Sequence, residues 1–216
     1  MIRSTSLLIL SLTKIKEKTV VLHTLSPDFG RRSFISSIGQ DTPMALFLPM
    51  NILNAEVIEN PKSDLWRIRN ISSSQPLNSI RSNLYKNTMA LFMSEVLYRT
   101  VREADTADSL YDWAVKSVLT LENLENDFSN YHLRFLLELA SALGFQPSLE
   151  DLAPFAGEYL KDISSLLQLS LADSMLLPLN GKSRNGIAEA LLRYLSHHTE
   201  SNINVQSLGV LAEVFR

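Results

Sequence analysis

Hydrophobic periodicity changes once along this chain, within NPKSDLWRIRNISSSQPLNSIRSNLYKNTMALFMSEVLYRTVREAD, residues Asn60 to Asp105. Before it, short runs with strand character are separated by turn residues. After it, apolar residues recur with helical spacing. The stretch itself holds a last strand (Leu65–Ile71), a polar connector (Ser72–Ser79) and a first long helix over about Asn83–Ala104. A chain patterned this way folds as α+β in two parts, read here as a β-barrel domain over residues 1–80 and an all-α domain over 81–216.

The strand runs are Ser6–Leu12, Thr19–Leu25, Arg31–Ile38, Met44–Met50, Ile52–Ile58 and Leu65–Ile71. They count six if Met44–Met50 and Ile52–Ile58 are separate, and five if these form one bent pair. Short strands spaced by turns are those of a small antiparallel barrel or sandwich. Ser26-Pro27-Asp28-Phe29-Gly30 is a turn with a mechanism: Pro fixes φ, Asp28 bonds nearby backbone, and Gly30 accepts positive φ. In the second part, Tyr85, Met89, Phe92 and Val96 share a face, widened by Leu84 and Leu91. Further helices are expected from Thr106 as N-cap, over Ser129–Leu143, over Ile163–Leu177, from Ser183 to about His198, and over Val205–Phe215. SLEDLAPFAGEYLKD reads as a loop with at most a short turn.

Charge follows the same division. Residues 1–86 hold eleven Lys and Arg against six Asp and Glu, whereas residues 87–216 hold nine against seventeen. A basic first part and an acidic second part point to a polyanion facing the former, with chance drift of surface charge as the plain alternative. The chain has no cysteine, which excludes disulfides and thiolate zinc sites. No run is long enough to cross a bilayer. MIRSTSLLILSL has a cation and an apolar run, but the charged TKIKEK follows it, so a first strand is expected there, not a signal peptide.

Alternation along Leu65–Ile71 sets Trp66 and Ile68 on one face and Arg67 and Arg69 on the other. With Lys62 nearby, the two arginines suit a phosphate backbone. Arg31 and Arg32 are adjacent, so only one reaches any given face. Lys14, Lys16 and Lys18 crowd the turn between the first two strands. These eight cations are the candidate nucleic-acid contacts, and Phe29, Phe34, Phe47 and Trp66 are available for base stacking. Against this, aromatic residues on alternating strands more often fill a core, and a lysine-rich turn is usually just solvated.

The sequence carries no P-loop, GxGxxG, HExxH or GxSxG pattern. His197 and His198 point about 100° apart on a helix, too divergent to chelate one metal as an i, i+4 pair does. His23 and His132 are isolated. Asn180-Gly181-Lys182-Ser183 reads as a loop with a helix cap. No catalytic residue, metal or cofactor is expected.

NPKSDLWRIRNI, KNTMALFMSEVLYRTVREAD, NYHLRFLLELASALGF and LLRYLSHH…VQSLGVLAEVF, with VVLHTLSPDFGRRSFI before them, resemble the RecO family of bacterial DNA repair proteins, in the form found in Bacteroidetes. The resemblance covers nearly the whole chain through order and spacing, with no single decisive motif. It implies an OB-fold that binds single- and double-stranded DNA, followed by a helical domain that contacts partners. The function it implies is a non-enzymatic, cytoplasmic, nucleoid-associated mediator of recombinational repair. Such a mediator anneals strands and, with RecR, helps load recombinase onto DNA coated by single-strand-binding protein, whose C-terminal tail it binds. The alternative is a protein-interaction adaptor whose barrel binds no nucleic acid. Two departures stand out. The four-cysteine zinc site of many members is missing, so that loop is held by apolar packing alone. The basic loop after the third strand is also missing, since SSIGQDTPMALF has no Lys or Arg.

Overall fold

A computed structural model of the chain describes residues 1–39, 42–103 and 108–215. It divides into two compact units, Met1–Asn78 with Val101–Val118, and Ser79–Thr100 with Leu119–Arg216. Gln40 and Asp41 of the loop without lysine or arginine, the helix end at Ala104 and the Thr106 cap lie outside the described residues.

The first unit contains five strands: β1 (Ile2–Lys16), β2 (Thr19–Ser26), β3 (Gly30–Ser37), β4 (Ile52–Ile58) and β5 (Trp66–Gln75). They close into a barrel in the order β1-β2-β3-β5-β4, the arrangement of an OB-type Greek-key barrel. Strand β1 serves two neighbours. Its first half pairs antiparallel with β4, Ile2 opposite Ile58 through Leu8 opposite Ile52. Its second half pairs with β2, Leu8 opposite Leu25 through Lys16 opposite Thr19, across irregularities at Ile9/Ser11 and Lys14/Lys16. Such bulges bend a strand and let it turn the barrel's corner. Strands β3 and β5 are parallel and meet at only two positions, Phe34 with Trp66 and Ile35 with Arg67.

The alternation required of a barrel appears directly in burial. Leu7 and Ile9 of β1, Val20 and Leu22 of β2, Phe34 of β3, Leu53, Ala55 and Val57 of β4 and Ile68 of β5 form the interior. Met44–Met50 is not a strand. Pro43 precedes a 3-10 turn at Met44–Phe47, and Pro49 follows it; proline cannot donate within a ladder. Phe47 packs into the barrel interior with Leu46 beside it, so the segment plugs the barrel rather than extending it. The strand count is therefore five. Strand β1 begins four residues before the expected Ser6, and β5 runs through Gln75 into the expected connector.

Leu8, Leu10 and Leu25 fall outside the interior cluster by alternation, yet are at most 2% exposed. The Val101–Val118 segment belongs to this side of the unit. Arg31 and Glu103 form a parallel β-bridge, and Tyr111 bonds Ser6 through its hydroxyl, whose pKa burial raises.

The helices are α1 (Asn78–Ser82), α2 (Leu84–Thr100), α3 (Asp108–Asn123), α4 (Tyr131–Ala142), α5 (Leu149–Ala156), α6 (Leu160–Gln168), α7 (Leu171–Met175), α8 (Gly181–His198) and α9 (Ser207–Val214). The stretch SLEDLAPFAGEYLKD is helical. Ser148 and Asp151 close a reciprocal capping box ahead of α5, and Pro154 is accommodated within that short helix. Ile163–Leu177 is two helices, because Ser170 breaks the run and caps α7 by accepting from Asp173 N–H. Asn180, not Ser183, caps α8. On α2, Met89, Phe92 and Val96 are buried as expected, whereas Leu84, Tyr85 and Leu91 stay exposed.

Among the described residues of the second unit, one lysine or arginine is buried. Lys86 is 2% exposed and donates from Nζ to Ser79 Oγ (2.6 Å) and the Glu122 carbonyl (2.9 Å). Burial lowers its pKa, opposed by Glu122 and Glu125. The Glu122 carboxylate accepts the Ser79 and Ile80 N–H groups that open α1.

Candidate nucleic-acid interface

Lys14, Lys16 and Lys18 project from the β1–β2 hairpin and are exposed. Lys62 stands in the β4–β5 loop. That loop is fixed by Asn60, whose Oδ1 accepts from Lys62 N–H and whose carbonyl accepts from Ser63 N–H. Arg67 projects from β5 between Ile35 on β3 and Ile58 on β4. None of these five cations has an acidic partner among the described residues. Since β3 and β5 run parallel, the step from Arg67 to Arg69 leads toward Ser37, which pairs with Thr19 at the root of the hairpin. The β3–β5 ladder itself ends at Ile35 and Arg67, and the hairpin lies beyond it, past Ser37 and Thr19.

The remaining three cations are engaged. Arg69 is held by Glu56 across β4–β5 at 2.9 Å, and hydrogen bonds from Asn70 and Arg69 lower the Glu56 pKa. Arg31 lies 3.8 Å from Glu103, its side chain 14% exposed. It belongs to a polar row on the outer face: Thr13 bonds His23 Nε2 (3.1 Å), and His23 Nδ1 bonds Ser33 Oγ (2.8 Å). Ser33 Oγ in turn donates to Glu103 (3.4 Å). Burial lowers the His23 pKa, Arg31 lowers it further and Glu103 opposes both. Arg32 takes the other face of β3. Its guanidinium carbon lies 3.5 Å from the Trp66 ring centroid, and Nη2 donates to the Asp64 carbonyl at 3.3 Å.

The four stacking candidates divide. Phe34, Phe47 and Phe29 are at most 8% exposed and belong to the interior cluster, while Trp66 is half-buried at the barrel mouth. Phe29 stands edge-to-face with Trp66, centroids 5.5 Å apart, and the Arg3 guanidinium lies 5.5 Å above the Phe29 ring. Arg3 also faces Glu59 at 3.7 Å. A strand begun at Ser6 omits Arg3. The signal that finds it is alternation, since Arg3, Thr5, Leu7 and Ile9 share a side of β1 once the strand starts at Ile2.

Elsewhere the chemistry-bearing residues are absorbed into packing. His197 and His198 stack among Phe145, Phe155 and Tyr194. No cluster of three metal-ligating side chains and no helix long and apolar enough to cross a membrane occurs among the described residues.

Fold and site together define a class: a five-stranded OB-type barrel with exposed cations, followed by a helical region. Residues 81–154 match the family model described as the C terminal of recombination protein O. The DNA repair protein RecO of Phocaeicola vulgatus is 28% identical over an alignment covering 92% of this chain and 99% of that protein. Those of Bacteroides fragilis and Flavobacterium psychrophilum are 27% and 25% identical, over 100% and 98% of both chains. Along its whole length the chain is thus similar to proteins named RecO, as the resemblance in the residues implied.

Proposed function

We propose that this protein is a non-catalytic DNA-binding mediator of recombinational repair, acting in the cytoplasm at the nucleoid. In this reading it anneals single strands and, with RecR, helps load recombinase onto DNA coated by single-strand-binding protein, whose C-terminal tail it engages. The observation that carries the reading is the set of exposed cations on an OB-type barrel, Lys62, Arg67 and the hairpin lysines, that have no acidic partner among the described residues. The length-wide similarity to proteins named for DNA repair supports it. Lysine and arginine contacts with phosphates release condensed counterions, so binding weakens linearly in log K against log salt. Anisotropy of a labelled single-stranded oligonucleotide across a salt series tests this. A steep negative slope is expected, and a flat line or no binding at low salt overturns the reading.

A second reading, an adaptor whose barrel binds no nucleic acid, draws on Glu103 and Glu56, which occupy Arg31 and Arg69. Nuclease-insensitive capture of a protein partner, with no DNA binding, selects it.

A further inference from the structure

We propose that the Arg32–Trp66 stack at the barrel mouth is a subsite for one unpaired base, through which the protein tells single-stranded from double-stranded DNA. The proposal rests on the DNA-binding reading above and deepens it by naming the feature of the ligand that is recognised.

Charge alone does not account for this end of the barrel. Arg3 is paired with Glu59 there, and Arg32 is held by a backbone carbonyl and a ring, not left open to phosphate. What it offers is a cluster of rings set edge-to-face, with a guanidinium over the Trp66 face. Phe29 meets Phe34 and Trp66 edge-to-face, at 6.1 and 5.5 Å, which anchors the indole to the interior. Arg32 lies flat enough on Trp66 to bring its guanidinium carbon within 3.5 Å of the ring centroid, and the Asp64 carbonyl fixes its Nη2. A planar cation held this way adds a second flat surface to the indole, and both indole and guanidinium planes are surfaces on which unstacked bases pile. Arg32 Nε is buried and has no hydrogen-bond partner among the described residues, an unsatisfied donor beside the bonded Nη2.

A base inside a duplex already has both faces covered by its neighbours, so only an unpaired base joins the pile. Arg3, over the next ring of the cluster, and Lys62, on the loop whose Asp64 carbonyl holds Arg32, are placed for the flanking phosphates. The subsite thus adds strand-type selectivity to the general phosphate attraction of the exposed cations.

The test uses the full-length chain carrying Trp113→Phe, which leaves Trp66 as its sole tryptophan. It is titrated at low salt with an oligo-dT strand and with a duplex of equal length. Anisotropy of the labelled DNA is followed beside Trp66 emission. Single-stranded DNA is expected to quench Trp66 in step with the anisotropy, and the duplex to bind without quenching. Arg32→Lys keeps the charge but not the plane, and is expected to weaken single-strand binding about tenfold while changing duplex binding less than about twofold. Single-strand binding with unchanged Trp66 emission overturns the subsite and leaves the DNA-binding reading intact. Equal weakening on both DNAs in Arg32→Lys makes Arg32 an ordinary phosphate contact and likewise overturns it. Failure of both DNAs to bind at low salt overturns the underlying reading instead.

Discussion

Arginines that look equivalent in sequence do different work. Arg31 and Arg32 are neighbours, and β-strand alternation sends one to an outer polar row with Glu103 and the other onto Trp66. That one of the pair would face away was legible from strand geometry. The partner Glu103 was not, because it is 72 positions away in the chain and meets β3 only through the fold. Arg69 was legible as a face-mate of Arg67, but its capture by Glu56 depends on the β4–β5 register. His132 shows the same limit. As an isolated histidine it carried no signal, yet it is buried against Phe92 and Phe215. Burial, and then Arg184, lower its pKa to about 3, against a bond with the Ser129 backbone that raises it. The unfolded chain, with a histidine pKa near 6.5, takes up this proton first. The stability tied to neutral His132 is therefore complete above about pH 6.5 and drains away as pH falls toward 3. Denaturant unfolding is expected to lose about 2 kcal/mol between pH 6.5 and 5 through this group. His132→Phe, which keeps an aromatic ring there without the proton, should flatten that decline.

Among the elements, the β1–β2 hairpin and α8 lend themselves to separate tests. Replacing Lys14, Lys16 and Lys18 together by alanine should shallow the salt dependence of single-strand binding by about two units, at roughly 0.7 for each phosphate no longer neutralised. Arg31→Ala should leave that slope unchanged, since its side chain is sheathed. Salt titrations of the two variants check both statements. On α8, a Cβ at Gly186 meets the Tyr159 ring at 2.2 Å. Gly186→Ala gains about 1 kcal/mol of helix propensity but must displace that ring. Thermal melts should show it destabilising in the native background and stabilising in a Tyr159→Ala background. Which runs became elements was legible where periodicity was unbroken, as for Ile52–Ile58, which matches β4 residue for residue, and Met89–Val96. It failed where a local signal had two meanings. The prolines around Met44–Met50 allowed an edge strand or a plug, and only the barrel's need for Phe47 in its interior decides. SLEDLAPFAGEYLKD carries a proline and a glycine that suggest a loop. Its capping box and a proline tolerated within a short helix make it α5 and the start of α6.

Across the whole molecule, the described residues show that the first compact unit draws on Val101–Val118 as well as the barrel. A fragment of residues 1–80 lacks Glu103 and Tyr111, which bond the outer face of the sheet, and it still carries the outward-facing Leu8, Leu10 and Leu25. It is expected to be poorly soluble on expression and to give a poorly dispersed NMR spectrum. Exposed apolar surface of that kind drives association. The amino-acid order alone determined the change from strand to helix, the segregation of charge and which cations are candidates for contact, because period, turn chemistry and net charge are local properties of a chain. The tertiary structure decided which cations remain available, which aromatic residue stays at the surface and where the interior is plugged. Those outcomes depend on strand register and closure, which bring together residues such as Arg32, Asp64 and Trp66 that no local pattern connects.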